Sequence, residues 1–247
     1  YTLRAVANSN ENDEDFDGLQ VFKSHVEAAS NGAIAVEIFM GTQLCSNGAE
    51  CLQGVADGSI DVYISTSDGA AGLFPYLQVL DLPYIMADDR VAERVLTGDF
   101  TRQLRDMTLE DSGGMLRLMT IGNTGGWRNF ANTKRRIQTP ADLSGLKMRT
   151  VVDMRAIVVD GFAQLQQATF ASPKRKSIAA YEEFRAGGGE VYVPTAEEKA
   201  AFTEAAAPVY DWFTSNVDGG EEILASFREA VSQAETALAE ERARDIQ

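Results

Sequence analysis

The sequence predicts an α/β fold built on a mainly parallel sheet, and three features carry that expectation. Short apolar runs alternate with amphipathic helical segments over the first sixty-five residues. The segments between successive runs are long enough for crossover connections, which parallel strands require. Two of the runs also end in small polar residues, as strands do where they leave a sheet.

Thr2 to Ala7 forms the first strand and runs out into Asn8-Ser9-Asn10. Glu11, Asp13, Glu14 and Asp15 crowd the start of the following helix, where the macrodipole favours negative charge. Phe16, Leu19, Phe22 and Val26 recur at steps of three and four and give that helix one apolar face. Ala33 to Phe39 is the second strand, and a helix over Asn47 to Ala56 follows it. Gly58 introduces a third strand, Ser59 to Ser65, which ends in Thr66-Ser67-Asp68-Gly69.

Residues 73–89 concentrate aromatic and aliphatic side chains around Pro75 and Pro83, which predicts a buried connector rather than a long helix. A helix over Val91 to Asp111 and a strand over Met115 to Ile121 come next. Gly122-Asn123-Thr124-Gly125-Gly126 matches neither phosphate-binding glycine pattern and reads as a hinge or strand crossover. Beyond it, Arg128 falls in one predicted strand and Arg149 at the end of another. Between them Thr139 stands as an N-cap with Pro140 at the first helical position. A long helix over Ala156 to Ala186, interrupted at Ser172-Pro173, ends at Gly187-Gly188-Gly189. Glu190 to Val193 reads as a short strand, and Glu197 to Asn216 and Glu221 to Ala243 as two closing helices.

Composition narrows the function. The formal charge of −15 argues against nucleic acid as a partner and against adhesion to an anionic membrane. Hydrophobic residues make up 45% of the chain, enough for a sizeable core. No stretch reaches the length of a membrane span, and YTLRAVANSN lacks a signal core, so a secreted chain would be the processed form. One histidine and two cysteines leave almost no material for a His/Cys zinc site, so neither metal nor cofactor is expected. Cys45 and Cys51 either close a small disulfide loop across Ser46-Asn47-Gly48, the preferred reading, or are two separate buried thiols. The disulfide reading points to the periplasm or the cell exterior.

No GxSxG, HExxH or CxxC pattern occurs, and His25 reads as an ordinary helix residue, so an enzyme is not expected. The chemistry lies elsewhere. In open parallel sheets, ligands bind beyond the carboxyl ends of the strands, where Asn8 to Asn10 and Ser65 to Ser67 fall. The alternative for these residues is ordinary solvated turns. Arg128 and Arg149 are candidates for a carboxylate, which a guanidinium fork matches bidentately. Lys134, Arg135 and Arg136, like Lys174 to Lys176, read as solvated faces.

A set of segments then carries a resemblance. In order they are Phe22 with Ser30-Asn31-Gly32, Ala35 to Phe39 with Gly41 to Leu44, and Gly58-Ser59-Ile60-Asp61. Phe74-Pro75, Leu80 to Tyr84, Trp127 to Asn132, and Thr139 to Arg149 complete it. Together they resemble the substrate-binding proteins of tripartite ATP-independent periplasmic (TRAP) transporters. The resemblance implies a two-lobed α/β receptor of the periplasmic binding protein type. Residues 1–123 would form the first lobe, and 124–247 the second lobe with the C-terminal helices. It implies a small organic acid as ligand, a TRAP permease as membrane partner and a periplasmic location. Arg149, the arginine of the Leu146-Lys147-Met148-Arg149 motif, would form the salt bridge with the ligand carboxylate, and Arg128 would assist. Trp127 would either line the pocket or sit in the core, with Asn8, Asn10, Thr66 and Ser67 completing the cleft. The chain also departs from the family. About 70–90 residues that normally follow the arginine motif, a large part of a lobe, are missing near Met154, leaving the second lobe incomplete at 154–155. The alternatives to a receptor are an enzyme using paired carboxylates and a deletion variant that no longer binds solute.

Overall fold

The computed structural model describes residues 1–123, 134–144, 146 and 180–245. Among the described residues the sheet has three strands in the order β2-β1-β3, comprising β1 (Thr2–Ala7), β2 (Ala35–Met40) and β3 (Val62–Ile64). All pairings are parallel, with Ala7 opposite both Met40 and Ile64. Ala5, Val6 and Ala7 of the central strand are fully buried, as expected when both faces of a parallel sheet are covered.

The covers differ. Helix α1 (Glu14–Ala29) lies on one face, where Leu19 and Phe22 pack against Ala5, Ala7, Val36 and Ile64. Its first turn is acidic, as predicted, but Glu14 and Asp15 are buried rather than solvated. Helix α2 (Gly48–Ala56) covers the other face, with Val6 against Cys45, Cys51 and Ile60. Asn47 caps α2 by accepting from the Glu50 amide at 3.0 Å, and Glu50 reaches back to the Ser46 amide at 2.9 Å. The preferred disulfide between Cys45 and Cys51 is present, with Cα atoms 5.2 Å apart.

The short helix α3 (Ser67–Ala70) leads into the connector, a tight 3-10 turn over Pro75–Asp81 that buries Tyr76, Leu77 and Val79. Two helices follow, α4 (Asp89–Leu96) and α5 (Asp99–Asp111), where the sequence predicts one. The break is local: the Thr97 hydroxyl bonds back to the Glu93 carbonyl at 2.7 Å, and Gly98 takes the extended N-cap position of α5. Residues 115–121 alternate in burial like a strand but have no ladder partner among the described residues. The expected strand over Glu190 to Val193 likewise forms no ladder there.

The helical residues 180–186 (α6) end at the glycine triplet, with Gly188 at φ 85°. After them come α7 (Ala196–Ala205), α8 (Ala207–Asn216) and α9 (Gly220–Asp245). The single helix predicted over 197–216 is divided because Pro208 has no amide hydrogen and its ring clashes with the preceding turn, so a new helix begins there. Helix α9 packs on α4, α5 and the 3-10 turn, and its Phe227 stacks on Phe100 at 4.6 Å. Tyr210 of α8 donates to the Pro83 carbonyl at 2.5 Å. The C-terminal helices therefore complete a core begun more than a hundred residues earlier.

Candidate functional site

Because Ala7, Met40 and Ile64 are in register, Asn8, Gly41 and Ser65 emerge together at one edge of the sheet. The two polar strand ends singled out in the sequence are thus neighbours. Gly41 turns the chain at φ 67°, and its amide donates to the Ser9 carbonyl at 2.8 Å, joining the β1 and β2 exits.

Each polar side chain of this edge has a definite partner. The Asn8 amide nitrogen donates to the Cys45 carbonyl at 3.2 Å and reaches the Gly41 carbonyl at 3.5 Å. Its oxygen accepts from the Tyr63 hydroxyl at 2.5 Å. Asn10 is exposed and turns the loop, donating to Asp13 at 2.7 Å and accepting from the Asn12 amide at 2.9 Å. Thr66 is buried and caps α3 by accepting from the Gly69 amide at 3.0 Å. Ser67 donates to Asp81 at 2.7 Å. Ser9, inside the first of these strand ends, donates to Asp15 at 2.5 Å, and the partners Tyr63 and Asp81 were not singled out in the sequence. A tyrosine near the carboxyl end of a strand, with an apolar body and a polar tip, is the signal by which Tyr63 could have been found.

These side chains are neutral or acidic, so the edge by itself holds no cationic partner for an anion. Trp127, Arg128 and Arg149 lie outside the described residues.

A second polar cluster joins residues 135–144 to 190–198. Asp142 accepts from the Thr139 amide at 2.8 Å and the Gln138 amide at 3.0 Å, fixing the turn Pro140–Leu143. These backbone bonds hold its carboxyl below the ordinary aspartate range. Gln138 donates to Glu198 at 2.9 Å, and Tyr192 donates to the same carboxylate at 2.6 Å. The Tyr192 hydroxyl, donating to Glu198, is pushed up, while Glu198, held by Tyr192 and then the Thr195 amide, is drawn down. Arg135 and Arg136 are exposed, as a solvated run should be, and take surface partners: Arg135 bonds the Asp142 and Ser144 carbonyls, and Arg136 pairs with Glu190 and stacks over Tyr192. A strongly displaced titration belongs to the core: burial pushes the Tyr76 hydroxyl up to about 12. His25 is exposed on α1. Among the described residues no group of three or more His, Cys, Asp or Glu side chains could hold a metal ion, and no helix is long and apolar enough to cross a membrane.

Comparison with known proteins decides what this edge belongs to. The family model described as bacterial extracellular solute-binding protein, family 7, matches residues 6–154. The chain belongs to this family. The match ends at Met154, where the sequence resemblance also breaks off. The 2,3-diketo-L-gulonate-binding periplasmic protein YiaO of Escherichia coli is 30% identical over 149 residues, covering 60% of this chain and 44% of that protein. A solute-binding protein of Verminephrobacter eiseniae is 29% identical over 150 residues, covering 61% of this chain and 43% of its own length. The chain thus spans less than half the length of these two relatives.

Among solved structures, a TRAP periplasmic solute-binding protein from Ochrobactrum anthropi superposes with a TM-score of 0.79 at 18% identity, covering 97% of each chain. The sugar acid binding protein DctPAm from Advenella mimigardefordensis, in complex with galactonate, gives 0.74 at 16% identity, covering 95% of this chain and 98% of that one. The family-7 member described here therefore has the two-lobed α/β fold of TRAP solute-binding proteins, with a small parallel sheet among many helices. Its relatives are solute-binding proteins rather than enzymes.

Proposed function

We propose that this family-7 protein is a periplasmic receptor that captures a small organic acid and delivers it to a TRAP permease. Residues 1–123 form the first lobe, and 124–247 contribute the second lobe and the closing helices. Arg149 pairs with the ligand carboxylate, Arg128 assists and Trp127 lines the pocket. The first lobe contributes the edge built by Asn8, Asn10, Thr66 and Ser67. The observation that carries this reading is the convergence of the Asn8–Asn10 and Ser65–Ser67 exits at one carboxyl edge, where open parallel sheets bind ligands. The edge offers neutral hydroxyl and amide groups, suited to a solute's polar body, while guanidinium groups take its charge. Closure of two lobes then buries the ligand, and ligand affinity stabilises the closed state that a permease reads.

The names of relatives give the screening panel: galactonate, L-gulonate, D-glucuronate and succinate appear in neighbouring structures. Thermal-shift measurements with these acids should show a hit without turnover. At about 100 times the dissociation constant, the stabilisation should be about 2.7 kcal/mol. Arg149→Ala should weaken binding by about thirtyfold or more, because it removes the charge partner of the carboxylate. No shift with any panel acid, or product formed from one, overturns the receptor reading.

A further inference from the structure

The three strand exits meet on one side chain. Asn8 follows β1, the carbonyls it approaches belong to Gly41 and Cys45 after β2, and the phenol it accepts from stands on β3. Its amide cannot be turned over. A flip would set the Asn8 oxygen against two carbonyl oxygens, neither of which has a hydrogen to donate. The Cys45 carbonyl is itself fixed covalently, since the disulfide ties Cys45 to Cys51, a fully buried residue of α2. Cys51 Sγ lies 3.5 Å from the Asn8 oxygen as a packing contact, because a half-cystine has no hydrogen to donate.

We infer that Asn8 is a positioning residue of the solute site, clamped by Tyr63 and the disulfide-closed loop so that the Ser9–Asn10 and Thr66–Ser67 exits keep the spacing a bound acid requires. The inference rests on the receptor reading above for its consequence, though the clamp itself does not. Gly41 couples the clamp to the neighbouring loop, since its amide holds the Ser9 carbonyl while its own carbonyl faces Asn8. Tyr63 stands opposite Val6 and packs on the same face of the sheet as the disulfide, so its phenol reaches Asn8 from β3 while the disulfide-closed loop reaches it from the β2 exit. Losing either arm leaves a half-buried amide group with half its partners, and the exits lose their common reference point.

The test measures affinity by titration calorimetry with D-galactonate, L-gulonate, D-glucuronate and succinate, and follows the Asn8 side-chain amide by NMR in the ligand-free protein. Tyr63→Phe and the double variant Cys45→Ala/Cys51→Ala should each weaken, by about fivefold, the affinity for whichever acid the wild type binds. Adding either change to Asn8→Ala should cost nothing further, since all act through one unit. The Asn8 amide resonances should move in both variants. If Asn8→Ala weakens binding while Tyr63→Phe and the cysteine variant stay within about twofold of wild type, Asn8 is a direct contact and the inference falls. Unmoved Asn8 resonances in Tyr63→Phe, which retains the ring and the disulfide, overturn it regardless of binding. A wild type that binds none of the four acids while its Asn8 resonances respond to both changes supports the clamp and overturns the receptor reading alone.

Discussion

Around the sheet, the buried apolar clusters are small: Val6, Cys45, Cys51 and Ile60 on one face, and Leu19 and Phe22 with their strand neighbours on the other. Directional contacts hold the rest, among them the disulfide, the Asn8 bonds, the Ser67–Asp81 bond and the Arg4–Asp61 pair. Around α9, one apolar cluster runs from Ala70 to Leu238 and joins parts of the chain far apart in sequence. Burial of apolar surface is non-directional and supplies stability, whereas a hydrogen bond or disulfide fixes atoms to a particular place. The contrast assigns stability to the helical end and geometry to the sheet end. Solute capture needs the second kind of contact.

The largest expected effect breaks the helical end. Phe227 is fully buried and stacked on Phe100, so Phe227→Ala should cost about 3–5 kcal/mol of unfolding free energy, measured by urea denaturation. Below the unfolding transition, the affinity for a bound acid should remain that of the wild type. A parallel loss of affinity would show that the two ends are not separable.

Removing the disulfide probes the other side of the contrast. Its two cysteines are six positions apart, so the closed loop is small and Cys45→Ala/Cys51→Ala should cost about 2 kcal/mol, less than the phenylalanine change. Here affinity should fall together with stability. The same measurement under strong reductant tests access to the bond. Cys51 is fully buried and Cys45 nearly so, so reduction of the folded protein should be slow beside that of the unfolded chain.

The sheet end was also the part most legible in the sequence. Strand β1, the apolar face of α1, the extent of α2 and the Cys45–Cys51 loop all rest on signals within a few residues of one another. Reading failed where the deciding partner was distant. Residues 115–121 carry strand-like alternation, which fixes burial but not pairing, and the segment is extended without a ladder among the described residues. Over 197–216 the helical pattern concealed the break at Pro208, although the proline itself was visible. At the edge, Asn8 could be singled out as polar, but the carbonyls of Gly41 and Cys45 and the phenol of Tyr63 reach it only after the strands pair. Arg128, Arg149 and Trp127 remain sequence-based assignments, since they lie outside the described residues.

The smallest expected effect refines the sheet end through pH. Arg4 on β1 donates to Asp61 from its backbone amide at 2.8 Å and from its side chain at 2.9 Å, and reaches the Gly58 carbonyl at 2.7 Å. Partial burial alone would raise the Asp61 carboxyl, but the two Arg4 hydrogen bonds outweigh it and hold the group below its ordinary range. A carboxyl lowered in the folded state stabilises the protein at pH values above its unfolded pKa of about 4, and that share is lost as pH falls through the folded value. The pair is partly exposed, so Asp61→Asn should cost only about 0.2–1 kcal/mol at neutral pH. The difference in melting temperature between wild type and Asp61→Asn should be constant above about pH 5 and shrink below about pH 4. A difference that widened on acidification would mean that the Arg4 bonds do not hold the carboxylate. The join between β1 and the entry to β3 would then rest on backbone pairing alone.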